Sequence, residues 1–125
     1  MVQATNSEKQ IIDILRNNGF RVTRERTFGD KWVIDLVGER ENTIILVELK
    51  SGAPTSHADI FDLVALRKTQ QLRNKNIRSF IINTGKFLLN KNAPIMKVAE
   101  ASGVTIIHGE DLPKVIDKLN SVITG

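Results

Sequence analysis

The sequence predicts an α/β domain in which a mixed sheet carries helices on both faces. Its 125 residues are enough for one hydrophobic core. Hydrophobic residues make up 41% and charged residues 26%, as expected of a folded protein rather than a disordered one. The apolar periodicity changes along the chain in the order αβββαβαβα, which is typical of this fold class. We therefore expect a single domain over residues 1–125.

The first half of the chain predicts a helix followed by three strands. Ile11, Ile12 and Leu15 form an apolar stripe within residues 7–18, and Gly19 supplies a stop signal. Segments rich in Val, Ile, Trp and Thr follow, and turn-forming or polar residues separate them. The predicted strands cover residues 20–27, 31–37 and 43–50.

Helices and strands alternate in the second half, after the break at residues 51–54. A long helix is predicted over residues 56–74, with Ser56 and Asp59 forming a capping arrangement at its start. The remaining predicted elements are a strand at 78–83, a helix at 91–101, a strand at 104–108 and a helix at 113–122.

Composition excludes several classes of protein. The chain has no cysteine, which excludes disulfides, Cys-ligated zinc and thiol catalysis. The longest apolar runs, such as Ile44–Val47, are far shorter than the roughly 20 residues that span a bilayer. The N-terminal residues are polar and lack the apolar segment of a secretion signal. We therefore expect a cytoplasmic protein.

Positive charge is concentrated in one part of the chain. The net charge is +4, but residues 63–99 hold eight basic side chains and no acidic one. They are Arg67, Lys68, Arg73, Lys75, Arg78, Lys86, Lys91 and Lys97. Such a block is typical of a nucleic-acid binder. A solvated face that keeps the protein soluble is the alternative.

Two carboxylates interrupt the apolar strands. Strand periodicity predicts that Val33, Asp35 and Val37 share one face of their strand, and that Glu48 and Lys50 share one face of the next. A turn centred between residues 41 and 42 pairs strand positions that sum to 83, which sets Asp35 opposite Glu48. Two anions this close repel unless a cation bridges them, and a divalent ion with oxygen ligands fits.

The order Asp35, twelve intervening residues and then Glu48-Leu49-Lys50 resembles the PD-(D/E)XK nuclease superfamily. Ile34 stands where that superfamily usually has proline. The predicted helix, three strands and helix are similar to its restriction-endonuclease-like core. Segments 80–85 and 103–112 resemble the Mrr-like branch of restriction endonucleases, and archaeal Holliday-junction resolvases are a second, less complete likeness.

The resemblance implies a metal-dependent DNA endonuclease. Asp35 and Glu48 would ligate Mg²⁺ (or Mn²⁺) with the Leu49 carbonyl, and Lys50 would orient the attacking water or stabilise developing charge. The alternatives are a strand-end turn role for Asp35 and an edge-strand salt bridge for the other two side chains. A nucleic-acid-binding module without catalysis is the alternative function.

Two further residues are candidates for the site. The resemblance implies that Glu8, on the predicted first helix, completes the metal site, whereas spacing allows it equally to cap that helix with Thr5. Gln71 falls on the apolar stripe of the long predicted helix, and related nucleases place a Gln or Lys near the site there. Two alternatives remain open. The neighbouring Gln70 is the one that reaches the site, or the Gln71 amide has its hydrogen bonds satisfied within the core.

DNA is the expected partner, and a homodimer is one arrangement that would cut both strands. We expect about half of the basic block to contact phosphates. The residues predicted for this role are Arg67, Lys68, Lys86 and Lys91.

Overall fold

A computed structural model describes residues 6–29, 32–85, 93–109 and 112–124. The helices are α1 (Asn6–Asn17), α2 (His57–Leu66), α3 (Pro94–Ala101) and α4 (Leu112–Thr124). The strands are β1 (Arg21–Phe28), β2 (Trp32–Arg40), β3 (Thr43–Lys50), β4 (Asn76–Asn83) and β5 (Val104–His108). The predicted order of elements is confirmed.

The five strands form one mixed sheet in the order β1-β2-β3-β4-β5. The first three strands are antiparallel, and β3, β4 and β5 run parallel. The parallel connections pass through α2 and α3, as parallel strands require. The predicted mixed α/β architecture is therefore confirmed.

Each face of the sheet buries its own apolar core. On one face, the sheet packs against α2 and α3 through residues such as Leu46, Leu63 and Ile95. On the other, it packs against α1 and α4 through residues such as Ile11 and Val47. Because helices cover both faces, β3 is apolar from Ile44 to Val47 and β4 from Phe80 to Ile82. Both strands end in polar residues where the candidate site lies.

The predicted pairing of β2 with β3 is confirmed. Ladder pairs run from Leu36 opposite Val47 to Arg40 opposite Thr43, and every pair sums to 83. The ladder ends at Leu36 and Val47, so Asp35 and Glu48, which were predicted to lie opposite each other, are not one of its pairs.

The predicted alternation of faces along β2 is wrong at Asp35. Ile34 and Val37 contact the core under α2, whereas Leu36 contacts the core under α1. The break falls opposite Glu25, which has a φ of 52° and leaves the ladder while pairs on both sides keep their register. The pleat therefore changes face at Asp35 without any insertion.

Helix α2 ends at Leu66, eight residues before the predicted end at 74. The following residues form turns, and Leu72 is fully buried in the core. Thr69 donates its hydroxyl to the Leu66 carbonyl at 2.8 Å and satisfies one of the terminal acceptors of the helix. The sequence pattern did not reveal this turn. Leu72 is buried in the turn, and a helix continuing to residue 74 would bury it as well.

None of the helices within the described ranges combines the length and apolarity needed to cross a membrane.

Candidate active site

Polar side chains gather where the carboxyl ends of β3 and β4 meet the break in β2. Lys50 lies opposite Asn83 in the ladder, and the first turn of α1 approaches the same end of the sheet. Together they enclose a cavity of about 200 Å³. Its lining residues are Ser7, Glu8, Asp35, Leu49, Lys50, Ser51, Ile82 and Thr84. Three predicted site residues, Glu8, Asp35 and Lys50, therefore share one cavity with Leu49.

Asp35 and Glu48 interlock through each other's backbone. The Asp35 N–H donates to Glu48 Oε1 at 3.1 Å. The Leu49 N–H donates to Asp35 Oδ2 at 2.8 Å. Two side-chain bonds thus replace the ladder where β2 and β3 separate. Asp35 lies inside β2 rather than at its end, so the alternative of a strand-end turn residue is wrong.

The pKa values of both carboxyl groups are raised above their ordinary values. Burial, followed by the charge of Asp35, raises the pKa of Glu48 to about 7. Burial also raises the pKa of Asp35, and the charges of Glu8 and Glu25 add to this, while the hydrogen bond from Leu49 opposes it. A perturbed pair of this kind in a cavity is typical of a functional site.

Glu48 faces the α2 side of the sheet, where a second cavity of about 160 Å³ lies. Asp59 and Asp62 line that cavity, and their charges contribute to the raised pKa of Glu48. Asp35 and Glu48 therefore open toward opposite sides of the end of β3 while remaining joined through backbone amides.

Lys50 is held by α2 rather than by a strand neighbour. Its Nζ lies 2.8 Å from Asp59 Oδ2. The same oxygen accepts the Ser56 N–H at 2.8 Å and belongs to the capping box that starts α2. Because β3 is a central strand and Lys50 pairs with Asp59, the alternative of an edge-strand salt bridge with Glu48 is wrong.

Glu8 lies in the first turn of α1 and lines the cavity beside Asp35. Arg24 on β1 binds Glu8 Oε2 through Nη2 at 3.1 Å and through Nε at 3.3 Å. Thr5, the cap partner in the alternative interpretation, lies outside the described residues. The pattern of residues gave no reason to expect Arg24 at the site, because it precedes the basic block.

Asn83 was also missed, although its sequence position offers a signal: a polar residue closes an apolar strand. Its fully buried side chain donates to the Ala53 carbonyl at 3.0 Å and to Thr55 Oγ1 at 3.3 Å. It also accepts the Gly85 N–H at 2.9 Å. A Cβ atom at Gly85 would overlap the Ser51 carbonyl oxygen, so glycine permits this close approach. These contacts anchor the connection that follows Lys50.

Gln71 does not join the carboxylates. Its Oε1 accepts the Gly29 N–H at 3.1 Å, which links the turn after α2 to the tip of the β1–β2 hairpin. Gln70, the flanking alternative, is exposed in the same turn. The prediction failed because it depended on a helix that continues beyond Leu66.

The Arg67 side chain is bound to β4 and to the turn before β5. Its Nη1 donates to the Ser102 carbonyl at 2.8 Å, and its Nη2 donates to Ser79 Oγ at 2.9 Å and to the Gly103 carbonyl at 2.6 Å. Burial lowers the pKa of this guanidinium. Because these contacts occupy both terminal nitrogens, Arg67 is withdrawn from the predicted DNA contacts.

The other predicted DNA contacts are placed only in part. Lys68 is exposed just past the end of α2. Ten helical residues span about 15 Å, so Lys68 lies well away from the end of α2 that holds Lys50. Lys86 and Lys91 lie outside the described residues.

The donor set fits a divalent cation with oxygen ligands. Asp35, Glu48 and the Leu49 carbonyl are hard oxygen donors of the kind that Mg²⁺ prefers. Burial, followed by the charges of neighbouring carboxylates, raises both pKa values, and a bound cation would favour the ionised forms. Within the described ranges, no three Asp, Glu or His side chains form a ready-made cage, so main-chain or solvent oxygens would complete the coordination.

Comparison with known proteins identifies the fold. No family model matches the chain. A UPF0102 protein of Persephonella marina is 29% identical over 91 residues, covering 72% of this chain and 70% of that protein. Protein VC1899 from Vibrio cholerae has a TM-score of 0.69 at 16% identity, covering 94% of this chain and 32% of that one.

Two further solved structures carry a nuclease name or a DNA ligand. A repair endonuclease from Pyrococcus abyssi has a TM-score of 0.55 at 19% identity, covering 86% of this chain and 49% of that one. The chain in an EndoMS–dsDNA complex has a TM-score of 0.54 at 15% identity, with coverages of 86% and 46%. The chain has the restriction-endonuclease-like fold.

The predicted resemblance to the PD-(D/E)XK nuclease superfamily is thus confirmed at the level of the fold. The restriction-endonuclease-like domain described here spans between 32% and 49% of the length of these three solved chains.

Proposed function

We propose that this chain is a Mg²⁺-dependent DNA endonuclease that hydrolyses phosphodiester bonds. The observation that carries the proposal is the interlocked pair Asp35 and Glu48, whose pKa values are raised. Lys50 lines the cavity that contains Asp35. In a purely structural ion pair, each carboxylate would face a basic side chain. This site instead places two carboxylates together and pairs the lysine elsewhere.

Each residue of the pair has a distinct task in this proposal. Asp35, Glu48 and the Leu49 carbonyl hold the cation, and Glu8 supports them from α1. A bound divalent ion supplies Lewis-acid polarisation of the phosphate and lowers the pKa of a water. Lys50 lines the cavity that contains Asp35 and would supply positive charge where the phosphate gains negative charge in the transition state.

DNA is the proposed substrate because of charge and fold. The basic block lies within a chain whose other parts are net acidic. Proteins of similar fold include one named as a repair endonuclease and one bound to double-stranded DNA. We further propose that residues 1–125 form one nuclease domain and that two copies act together when both strands are cut.

The decisive experiment compares wild type with Asp35→Asn on linear duplex, circular and four-way-junction DNA. Wild type should cleave at least one substrate with Mg²⁺ and none with EDTA, and Asp35→Asn should bind DNA without cleaving it. Mg²⁺ should also raise the Tm of wild type only, since binding at 100 times Kd adds about 2.7 kcal/mol.

Two outcomes would contradict the proposal. Equal Mg²⁺ stabilisation of wild type and Asp35→Asn would show that Asp35 holds no ion. DNA binding by wild type without cleavage of any substrate would favour the non-catalytic nucleic-acid-binding module.

A further inference from the structure

The contact between β3 and the first turn of α2 connects the candidate catalytic lysine to a helix cap. Asp59 Oδ2 accepts three hydrogen bonds: from the Ser56 N–H at 2.8 Å, from the Ser56 hydroxyl at 3.1 Å and from Lys50 Nζ at 2.8 Å. Both side chains of the ion pair are largely covered, with 23% of Lys50 and 24% of Asp59 exposed. One carboxylate oxygen therefore fixes the helix start and the lysine together.

The surroundings of Lys50 explain why such a contact matters. Lys50 lines the cavity that contains Asp35, and Glu48 is two residues away on the same strand. Both are carboxylates with unmatched charge, so a mobile ammonium group would pair with them. An ammonium group bound there would compete with a divalent cation for the same oxygens.

We propose that Asp59 is a positioning residue that holds Lys50 away from the carboxylates Asp35 and Glu48, leaving these available for a cation. The inference rests on the proposed function and adds a specific role for α2 in it. Asp59 acts through Lys50 and does not itself contact the reacting phosphate.

Capping geometry makes the contact a defined one. Ser56 is the N-cap of α2, and Asp59 occupies the third helical position of a reciprocal capping box. The Asp59 side chain is therefore oriented by the helix start before Lys50 binds it. A preoriented anion of this kind restricts a flexible lysine more than an exposed partner could.

The test is Asp59→Asn, with Ser56→Ala as the matched control. Asparagine keeps an oxygen that can accept the Ser56 N–H but loses the charge that binds Lys50. Ser56→Ala damages the same capping box without removing the partner of Lys50. Single-turnover cleavage at saturating DNA and the Mg²⁺ dependence of Tm are measured for both variants beside wild type.

If Asp59 positions Lys50, the two variants should differ in cleavage rate and in Mg²⁺ dependence. Asp59→Asn should cleave at least tenfold more slowly at saturating DNA with little change in DNA affinity. It should also need severalfold more Mg²⁺ for half of the Tm increase. Ser56→Ala keeps the Ser56 N–H that binds Asp59 Oδ2, so it should keep near-wild-type cleavage and Mg²⁺ dependence even where its Tm is lower. Asp59→Glu, which restores the charge, should recover part of the rate.

The failures are distinguishable. If wild type cuts DNA and Asp59→Asn cuts it equally well, only the role of Asp59 is overturned. The same holds if Ser56→Ala loses as much activity as Asp59→Asn, because the cap alone would then explain the effect. If wild type cuts no substrate with Mg²⁺, the proposed function is overturned and the role of Asp59 falls with it.

Discussion

The two ends of helix α2 hold cations in opposite ways. At its beginning, Lys50 binds Asp59 beside two carboxylates with raised pKa values. Just past its end, Arg67 donates to two main-chain carbonyls and to the Ser79 hydroxyl, all within hydrogen-bond distance. Arg67 binds neutral oxygens, and its buried Nε has no hydrogen-bond partner within the described ranges, whereas several carboxylates lie together near Lys50. The cluster of carboxylates, rather than positive charge as such, distinguishes the candidate site.

The sharpest test of this comparison substitutes methionine at both positions. Lys50→Met should lower the cleavage rate by about 10²–10³-fold, the usual effect of losing one group that stabilises transition-state charge. Its free energy of unfolding should change by no more than about 1 kcal/mol, since the ion pair that it breaks is partly exposed.

Arg67→Met should show the reverse. Its free energy of unfolding should fall by about 2–4 kcal/mol, because the Ser102 and Gly103 carbonyls and the Ser79 hydroxyl lose a charged donor. Cleavage measured well below its Tm should stay near wild type. Urea unfolding and single-turnover assays on the same preparations check both variants. Equal losses of activity would contradict the distinction between Lys50 as a site residue and Arg67 as a structural one.

The raised pKa of Glu48 should make the free energy of unfolding depend on pH when Mg²⁺ is absent. The pKa of Glu48 is about 7 in the folded protein against an ordinary value of 4.5. Glu48 therefore destabilises the folded state progressively as pH rises from about 4.5 to 7, and its full cost is present above pH 7. Each pKa unit corresponds to about 1.4 kcal/mol, which solvent screening reduces for a half-buried group.

Glu48→Gln should accordingly raise the free energy of unfolding by about 1–3 kcal/mol at pH 8. The gain should fall to about 0.4 kcal/mol at pH 4.5, where the carboxyl is protonated in the folded state and about half protonated in the unfolded state. Urea unfolding in EDTA at both pH values measures it, with the exposed Glu100→Gln as the control. A gain that is the same at both pH values would rule out charge as its cause.

The smallest effects concern the contribution of individual basic side chains to DNA affinity. Each phosphate contact contributes about 0.9 to the slope of log K against log salt. Replacing Lys86 and Lys91 together with alanine should flatten the slope by roughly 2, and Lys68→Ala by about 1. Arg67→Met should leave it unchanged. Binding is measured with Asp35→Asn between low and moderate salt, and a slope that none of these changes alters would assign the basic block to solubility.

Sequence reasoning succeeded where a local pattern had one physical solution. The β2–β3 register followed from a short polar turn between apolar strands, because a slip of one residue would turn every apolar side chain to the wrong face. Asp35 and Glu48 were found because carboxylates inside apolar strands need a partner. The capping box at Ser56 and Asp59 was likewise readable from spacing alone.

It failed where distant segments decide the role of a residue. Gln71 and Arg67 were assigned to a face of a helix that in fact ends at Leu66. Arg24 and Asn83 were missed because their partners Glu8 and Ala53 lie 16 and 30 residues away in sequence. Spacing along the chain carries no information about such contacts.

The sequence by itself therefore determined the order of elements, the strand register and the pair of carboxylates inside apolar strands, since hydrophobic periodicity and desolvation act within a few residues of each position. Tertiary structure alone decided which cations serve the site and which serve the fold. A lysine or arginine is equally basic in either role, and only the oxygens brought to it by folding, Asp59 for Lys50 and the Ser102–Gly103 turn for Arg67, give it one role or the other.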